Sequence, residues 1–254
     1  MKRLLAILLV LTLCLGFSAC GNDSNDAFNE SKIAYEKINE AYEMVNEFSQ
    51  DVYTAWNMGI NDRDDIDGKS TSSYYTSYND AEELAYFARK LNISADDLKA
   101  AAAHLAGVDE YDPGSSSKMG TWYALHSIFY SSSFFSACVD LVSTAYELNG
   151  TADRITSLLE EAKGYMKQLS DKYSDYEHYP SLKKYFTNTT AFFGFCLSPE
   201  GSFNQVVDTF NDYRNNARDY FYDLNYVFED SLFPTDPIEE STAPTEVAED
   251  VASA

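Results

Sequence analysis

The sequence predicts an all-α fold: an elongated antiparallel helical bundle of about four long helices with two or three shorter ones. Three observations carry this reading. A heptad pattern of apolar residues runs from Ala27 to about Ile60. Apolar positions recur at spacings of three and four over 151–178 and 199–230, the period of a helix that buries one face. Tight turn signals such as Asn149-Gly150-Thr151 separate such runs by very few residues, which favours antiparallel neighbours.

At the N-terminus, Lys2 and Arg3 precede an uncharged apolar run from Leu4 to Phe17. The run is too short to cross a hydrocarbon core of about 30 Å as a helix, and small residues follow it. Residues 1–19 therefore read as an export signal and not as a spanning anchor. Phe17-Ser18-Ala19-Cys20 resembles the lipobox of bacterial lipoproteins, with Phe17 where that family usually carries Leu. The resemblance implies that Cys20 carries two or more acyl chains and becomes the mature N-terminus. It also implies a location on the cell membrane, lipid-anchored on the extracytoplasmic face, since two chains hold firmly where one is marginal. Residues 20–26 read as a polar tether and 27–230 as the bundle domain. The resemblance covers the signal alone.

The chain has 18 basic and 41 acidic residues. Loss of Lys2 and Arg3 with the signal leaves 16 bases against 41 acids, a formal net charge of −25. A charge of that size repels nucleic acid and bare anionic lipid, so neither is an expected partner. With 20 Tyr and 16 Phe, the chain has enough large apolar side chains for a core, which excludes global disorder. Cys14 leaves with the signal and Cys20 takes the lipid, so Cys138 and Cys196 remain. An even pair in an exported chain permits a disulfide; two separate buried thiols are the alternative.

The first helix, 27–60, shows three heptad columns. They read Phe28, Tyr35, Tyr42, Ser49, Trp56; then Ser31, Ile38, Val45, Val52, Gly59; and Ala27, Ala34, Ala41, Phe48, Ala55. Such a helix is about 50 Å long, and its alanines let a neighbour approach closely. The acidic stretch 61–68 has a partial calcium-loop pattern, but Arg63 and Tyr74 occupy its first and twelfth positions. It reads as a solvated turn. Ser70 to Tyr78 is a polar loop carrying Tyr74, Tyr75 and Tyr78. These rings suit stacking on a sugar or packing against a protein partner, with folding back onto the bundle as the plainer alternative.

Asp80 caps a short helix to Leu91, and Ser94 opens a second that Gly107 closes. Beyond a linker around Pro113-Gly114, the segment from Met119 to Val139 has no acidic or basic residue but holds five serines, Thr121 and His126. It is too polar for lipid and reads as part of a central buried helix, 120–148. The helix from 151 ends before Tyr179-Pro180, and a shorter, Phe-rich helix fills 181–196. The two smaller units, 80–107 and 181–196, are expected at the ends or sides of the bundle. Ser198-Pro199-Glu200 reads as the start of the last long helix, whose seam is Phe203, Val206, Phe210, Tyr213, Ala217, Tyr220, Leu224 and Val227. Arg214 flanks that seam, either pairing with a carboxylate or laying its stem along the edge. The acidic, proline-bearing residues 231–254 read as a disordered tail.

His104, His126 and His178 lack metal-ligand spacing, and no phosphate loop or nucleophile motif is present. No cofactor is expected. The leading expectation is a non-enzymatic, lipid-anchored protein with a partner-binding or structural role at the cell envelope. The alternative is a lipoprotein that binds a small molecule or glycan through Tyr74, Tyr75 and Tyr78. A cavity lined by aromatics and converging polar groups would favour the ligand; a filled core beneath an exposed patch would favour the protein partner.

Overall fold

Helix α1 (Asp23–Asn61) is the axis of the molecule, and its sequence explains why. Of its fifteen heptad-column residues, all except Phe28 are buried. Three adjacent columns cover far more than the single stripe of an ordinary surface helix, so α1 needs neighbours on several sides. The computed structural model describes residues 23–61, 87–112 and 134–228. They are mostly helical, with no strand among them. After α1 come α2 (Ala95–Ala106), α3 (Phe134–Leu148), α4 (Thr151–Lys172), α5 (Tyr179–Leu197) and α6 (Phe203–Phe228). The residues read as an export signal (1–19), Cys20, the acidic stretch from 62, Tyr74, Tyr75 and Tyr78, Asp80, His126 and the acidic residues 231–254 lie outside the described residues.

Helices α3 to α6 form a wall in which each packs on the next, and all four pack on α1. Directions follow from the contacts. Lys37 pairs with Glu161, and Glu40 with Arg154, so α4 runs antiparallel to α1. Phe28 meets Phe228 at one end of α1 while Tyr53 meets Phe203 towards the other, so α6 is also antiparallel. Tyr42 touches Tyr185 and Phe192 while Val45 approaches Cys196, so α5 runs parallel. α2 leans on α3 at the side.

The all-α bundle is therefore as expected, but its centre is α1 and not the segment 120–148, of which 134–148 is described as α3. The Phe-rich helix is no peripheral piece either. α5 buries Leu182, Tyr185, Thr189, Phe192, Phe193 and Cys196 because it lies between α1, α4 and α6. The expected tether is also shorter. Asp23 to Asp26 belong to α1, because acidic and Ser/Asn residues at a helix N-terminus favour the positive end of its dipole and do not oppose the helix.

Local signals explain the breaks. Ser94 accepts a hydrogen bond from the Asp97 amide at 3.1 Å, and Gly107 closes α2 in the left-handed conformation, as the sequence predicts. Asn149 Oδ1 accepts from the Thr151 amide at 3.0 Å, with Gly150 left-handed at φ 82°, making the tight reversal between α3 and α4. Two expectations change. Pro180 stands in the first turn of α5, where its missing amide hydrogen costs nothing; the preceding helix has already stopped at Lys172. Ser198-Pro199-Glu200 does not open the last helix, since Ser198 is the C-cap of α5.

The actual start of α6 is a capping box. Gln205 Oε1 accepts from the Ser202 amide at 2.8 Å, and Ser202 Oγ accepts from the Gln205 amide at 3.4 Å. Gly201 enters this box at φ 120°, and a Cβ there would come within 3.1 Å of Gln205 Oε1. Gly201→Ala is expected to destabilise the protein by about 1–2 kcal/mol through backbone strain and loss of the cap. Urea denaturation checks this; an unchanged midpoint would show that the box can move aside.

Candidate functional site

Chemistry in this bundle collects on a polar seam wound through the buried columns of α1, with Asn39, Asn46 and Ser49 on one side of the helix and Asp51 on the other. Near the start of α1, Tyr35 donates to Asn225 Oδ1 across a long 3.5 Å, and Tyr185 donates to Asn39 Oδ1 at 3.0 Å. Farther along, Arg214 reaches in from α6. Its Nε donates to Asn46 Oδ1 at 2.8 Å and its Nη2 to Ser49 Oγ at 2.7 Å. Ser49 in turn donates to the Asn46 carbonyl at 2.7 Å. Arg214 Nη1 and the Thr189 hydroxyl are enclosed with no hydrogen-bond partner among the described residues.

The sequence offered Arg214 two roles, a carboxylate pair or a stem on the edge. The structure gives a third: a partly buried guanidinium held by neutral acceptors. Burial lowers the guanidinium pKa from its ordinary value, while Tyr42 and Cys196 nearby act the other way. Tyr42, Tyr185 and Cys196 are all pushed up, chiefly by burial, so they stay protonated. None is a ready nucleophile, because the reactive form of each is the anion.

Asp51 leaves α1 about 200° around from Ser49, at 100° per residue, and does not meet Arg214. It is 4% exposed. Its Oδ1 accepts from the Asn92 amide at 2.9 Å and its Oδ2 from the Tyr146 hydroxyl at 3.0 Å. One carboxylate thus ties α1 to α3 and to the segment ahead of α2. Tyr146 is fixed from its other side by stacking on Phe48, centroids 4.2 Å apart. Burial pushes the Asp51 carboxyl up to about 6, with Glu47 adding to the rise, against the two hydrogen bonds that favour its charged form.

The predicted sites fare unequally. Cys20, Tyr74, Tyr75 and Tyr78 lie outside the described residues. Cys138 and Cys196 are not bonded: both are free and buried. Cys196 sits against the Val45 carbonyl and close enough to perturb Tyr146. Cys138 is eight residues earlier on α3, about 12 Å along the axis, whereas disulfide Cα atoms lie within about 7 Å. The Cys138 thiol is pushed up to about 12, chiefly by burial. His104 is exposed on α2, and His178 packs near Tyr176 and Phe228. Among the described residues no group of three or more His, Cys, Asp or Glu could hold a metal ion. Nor is any helix among them long and apolar enough to cross a membrane. Asp51 was missed by the sequence reading; an acid directly beside the Val45–Val52 column was its one available signal.

Comparison with protein-family models, curated proteins and solved structures gives no match to this chain.

Two predictions follow from the seam. A buried cation facing neutral groups loses hydration without a full Coulomb return. Arg214→Met, which keeps the stem volume, is expected to be at least as stable as the wild type. Arg214→Ala, which opens a cavity, is expected to lose about 2–3 kcal/mol. Equal losses in urea for both variants would show that the guanidinium hydrogen bonds dominate. For Asp51 the folded pKa lies above the unfolded value of about 3.9. Its contribution to stability is therefore fully present below about pH 4 and is lost as pH rises through about 6. Asp51→Asn is expected to remove that slope, gaining about 2–3 kcal/mol on the wild type between pH 4 and pH 7.5. A stability difference that is the same at both pH values would refute the assignment.

Proposed function

We propose that this chain is a lipid-anchored, extracytoplasmic helical bundle that binds a protein partner at the cell envelope. The observation that carries the reading is the position of α1, the organising helix, which starts only three residues after the lipobox cysteine. Three residues span at most about 11 Å. An acylated Cys20 would hold the bundle by its own axis, close to the bilayer, and not through a long tether. The strong negative charge keeps such a body soluble beside the membrane and turned away from anionic polymers. Reactive groups inside it are quenched by burial, while its outer helix faces remain available for contact.

Anchoring is tested by growing cells that express the chain with labelled palmitate. Label is expected in the wild type and absent from Cys20→Ala; a labelled Cys20→Ala protein would sink the lipoprotein reading. Crosslinking of the anchored protein in intact envelopes then separates a protein partner from a glycan. Recovery of defined protein adducts supports the first, and retention on an immobilised glycan with no protein adduct supports the second.

A further inference from the structure

The outward face of α6 carries a stripe at helical spacing: Asp208, Asp212, Asn215, Asp219, Tyr222 and Tyr226, all exposed. Its two ends differ. The first half is acidic and polar, as a solvated face should be. The second half holds two aromatic rings one turn apart, Tyr222 at 54% and Tyr226 at 94% exposed. Asp219 and Asp223, both exposed, each stand three residues before a ring, Tyr222 and Tyr226 respectively, a spacing that makes helix neighbours. The basic side chain beside the stripe, Arg218, donates to Asn215 at 2.8 Å, one turn before Tyr222.

Charge decides what such a face can receive. Ring faces are negative at their centres, and carboxylates beside them deepen the attraction for a cation. Anionic lipid is repelled, and so is a second copy of this strongly acidic chain. A lysine or arginine side chain meets both a ring and a carboxylate here. The face also has a definite place. Phe228, two residues beyond Tyr226, packs on Phe28 of α1 with ring centroids 5.5 Å apart. The tyrosines therefore sit at the end of the bundle where α1 begins, and α1 begins three residues after Cys20 in the sequence.

We propose that the face formed by Asp219, Tyr222, Asp223 and Tyr226 docks a lysine- or arginine-rich segment of a membrane-bound partner protein. The proposal rests on the anchored, partner-binding reading and names the chemistry of that partner. The probe is acetylated hexalysine, titrated by calorimetry into the full acylated chain in neutral detergent micelles. Tyr222→Ala/Tyr226→Ala is expected to weaken binding about tenfold, and Tyr222→Phe/Tyr226→Phe, which keeps the rings, to stay within about twofold. Asp208→Asn/Asp212→Asn, on the same stripe away from the rings, is expected to stay near wild type. The proposal is overturned if the double alanine variant binds as the wild type does. It is overturned equally if the Asp208/Asp212 variant loses as much, which would mean diffuse attraction. Tyrosine-dependent binding to phosphatidylglycerol vesicles in place of the peptide would also overturn it, in favour of the bilayer. Palmitate labelling reads the anchor separately: a labelled wild-type chain that does not bind the peptide rejects this face and leaves the anchored reading standing.

Discussion

Burial of α1 on three sides is the constraint from which the rest of the structure follows. Tyr35, Ile38, Ala41, Tyr42, Val45, Phe48 and Val52 are all at most 1% exposed. Covering so broad an apolar surface takes more than one partner helix, and α3, α4, α5 and α6 supply a continuous wall. Each neighbour is then placed by what α1 shows it. Tyr42 receives the Tyr185 and Phe192 rings of α5. Phe48 stacks flat on Tyr146 of α3. Lys37 and Glu40 set the direction of α4, although exposed pairs of this kind contribute little to stability.

An apolar axis alone would tolerate sliding and rotation of its neighbours, because hydrophobic contact is not directional. The polar seam removes that freedom. Arg214 bonds Asn46 and Ser49 in one register of α6 on α1, and a shift by one turn would break both bonds. Asp51 performs the same task between α1, α3 and the Asn92 segment. Each arrangement carries a cost, since one buries a cation beside neutral groups and the other raises a carboxyl to about 6. Spending stability in this way to fix a register is an attested use of buried polar groups in helical assemblies.

Much of the fold was legible in the sequence because it depends on periodicity and on local caps. The heptad columns of α1, the Ser94 and Gly107 caps and the Asn149-Gly150 reversal are each written in a few neighbouring residues. The start of α6 was misread at Ser198 because Ser-Pro-Glu and Ser202-x-x-Gln205 are both acceptable starts. The choice between them is made by Gly201, whose left-handed backbone turns the chain. The rank of α5 was misread because helix length says nothing about how many neighbours a helix has. The seam was the least legible part. Its partners are 41 to 190 residues apart, and no local pattern joins Asp51 to Tyr146 or Arg214 to Asn46. The separate fates of Cys138 and Cys196 likewise depend on the level each reaches along α1.

The pairing of α1 with α6 has a consequence for how the chain is made. The hydrogen bonds between the two helices join residues 165 to 190 positions apart, as in Arg214 with Ser49 and Tyr35 with Asn225. α1 is synthesised first and α6 last among the described helices, so the broad buried surface of α1 waits longest for part of its cover. The α3–α4 hairpin, closed over two residues, can form locally in the meantime. Until α6 arrives, α1 presents Tyr35, Tyr42 and Phe48 on a rod more than 50 Å long, a surface open to chaperones and to aggregation. The order of synthesis and the order of burial run against each other, and the last helix to emerge completes the first.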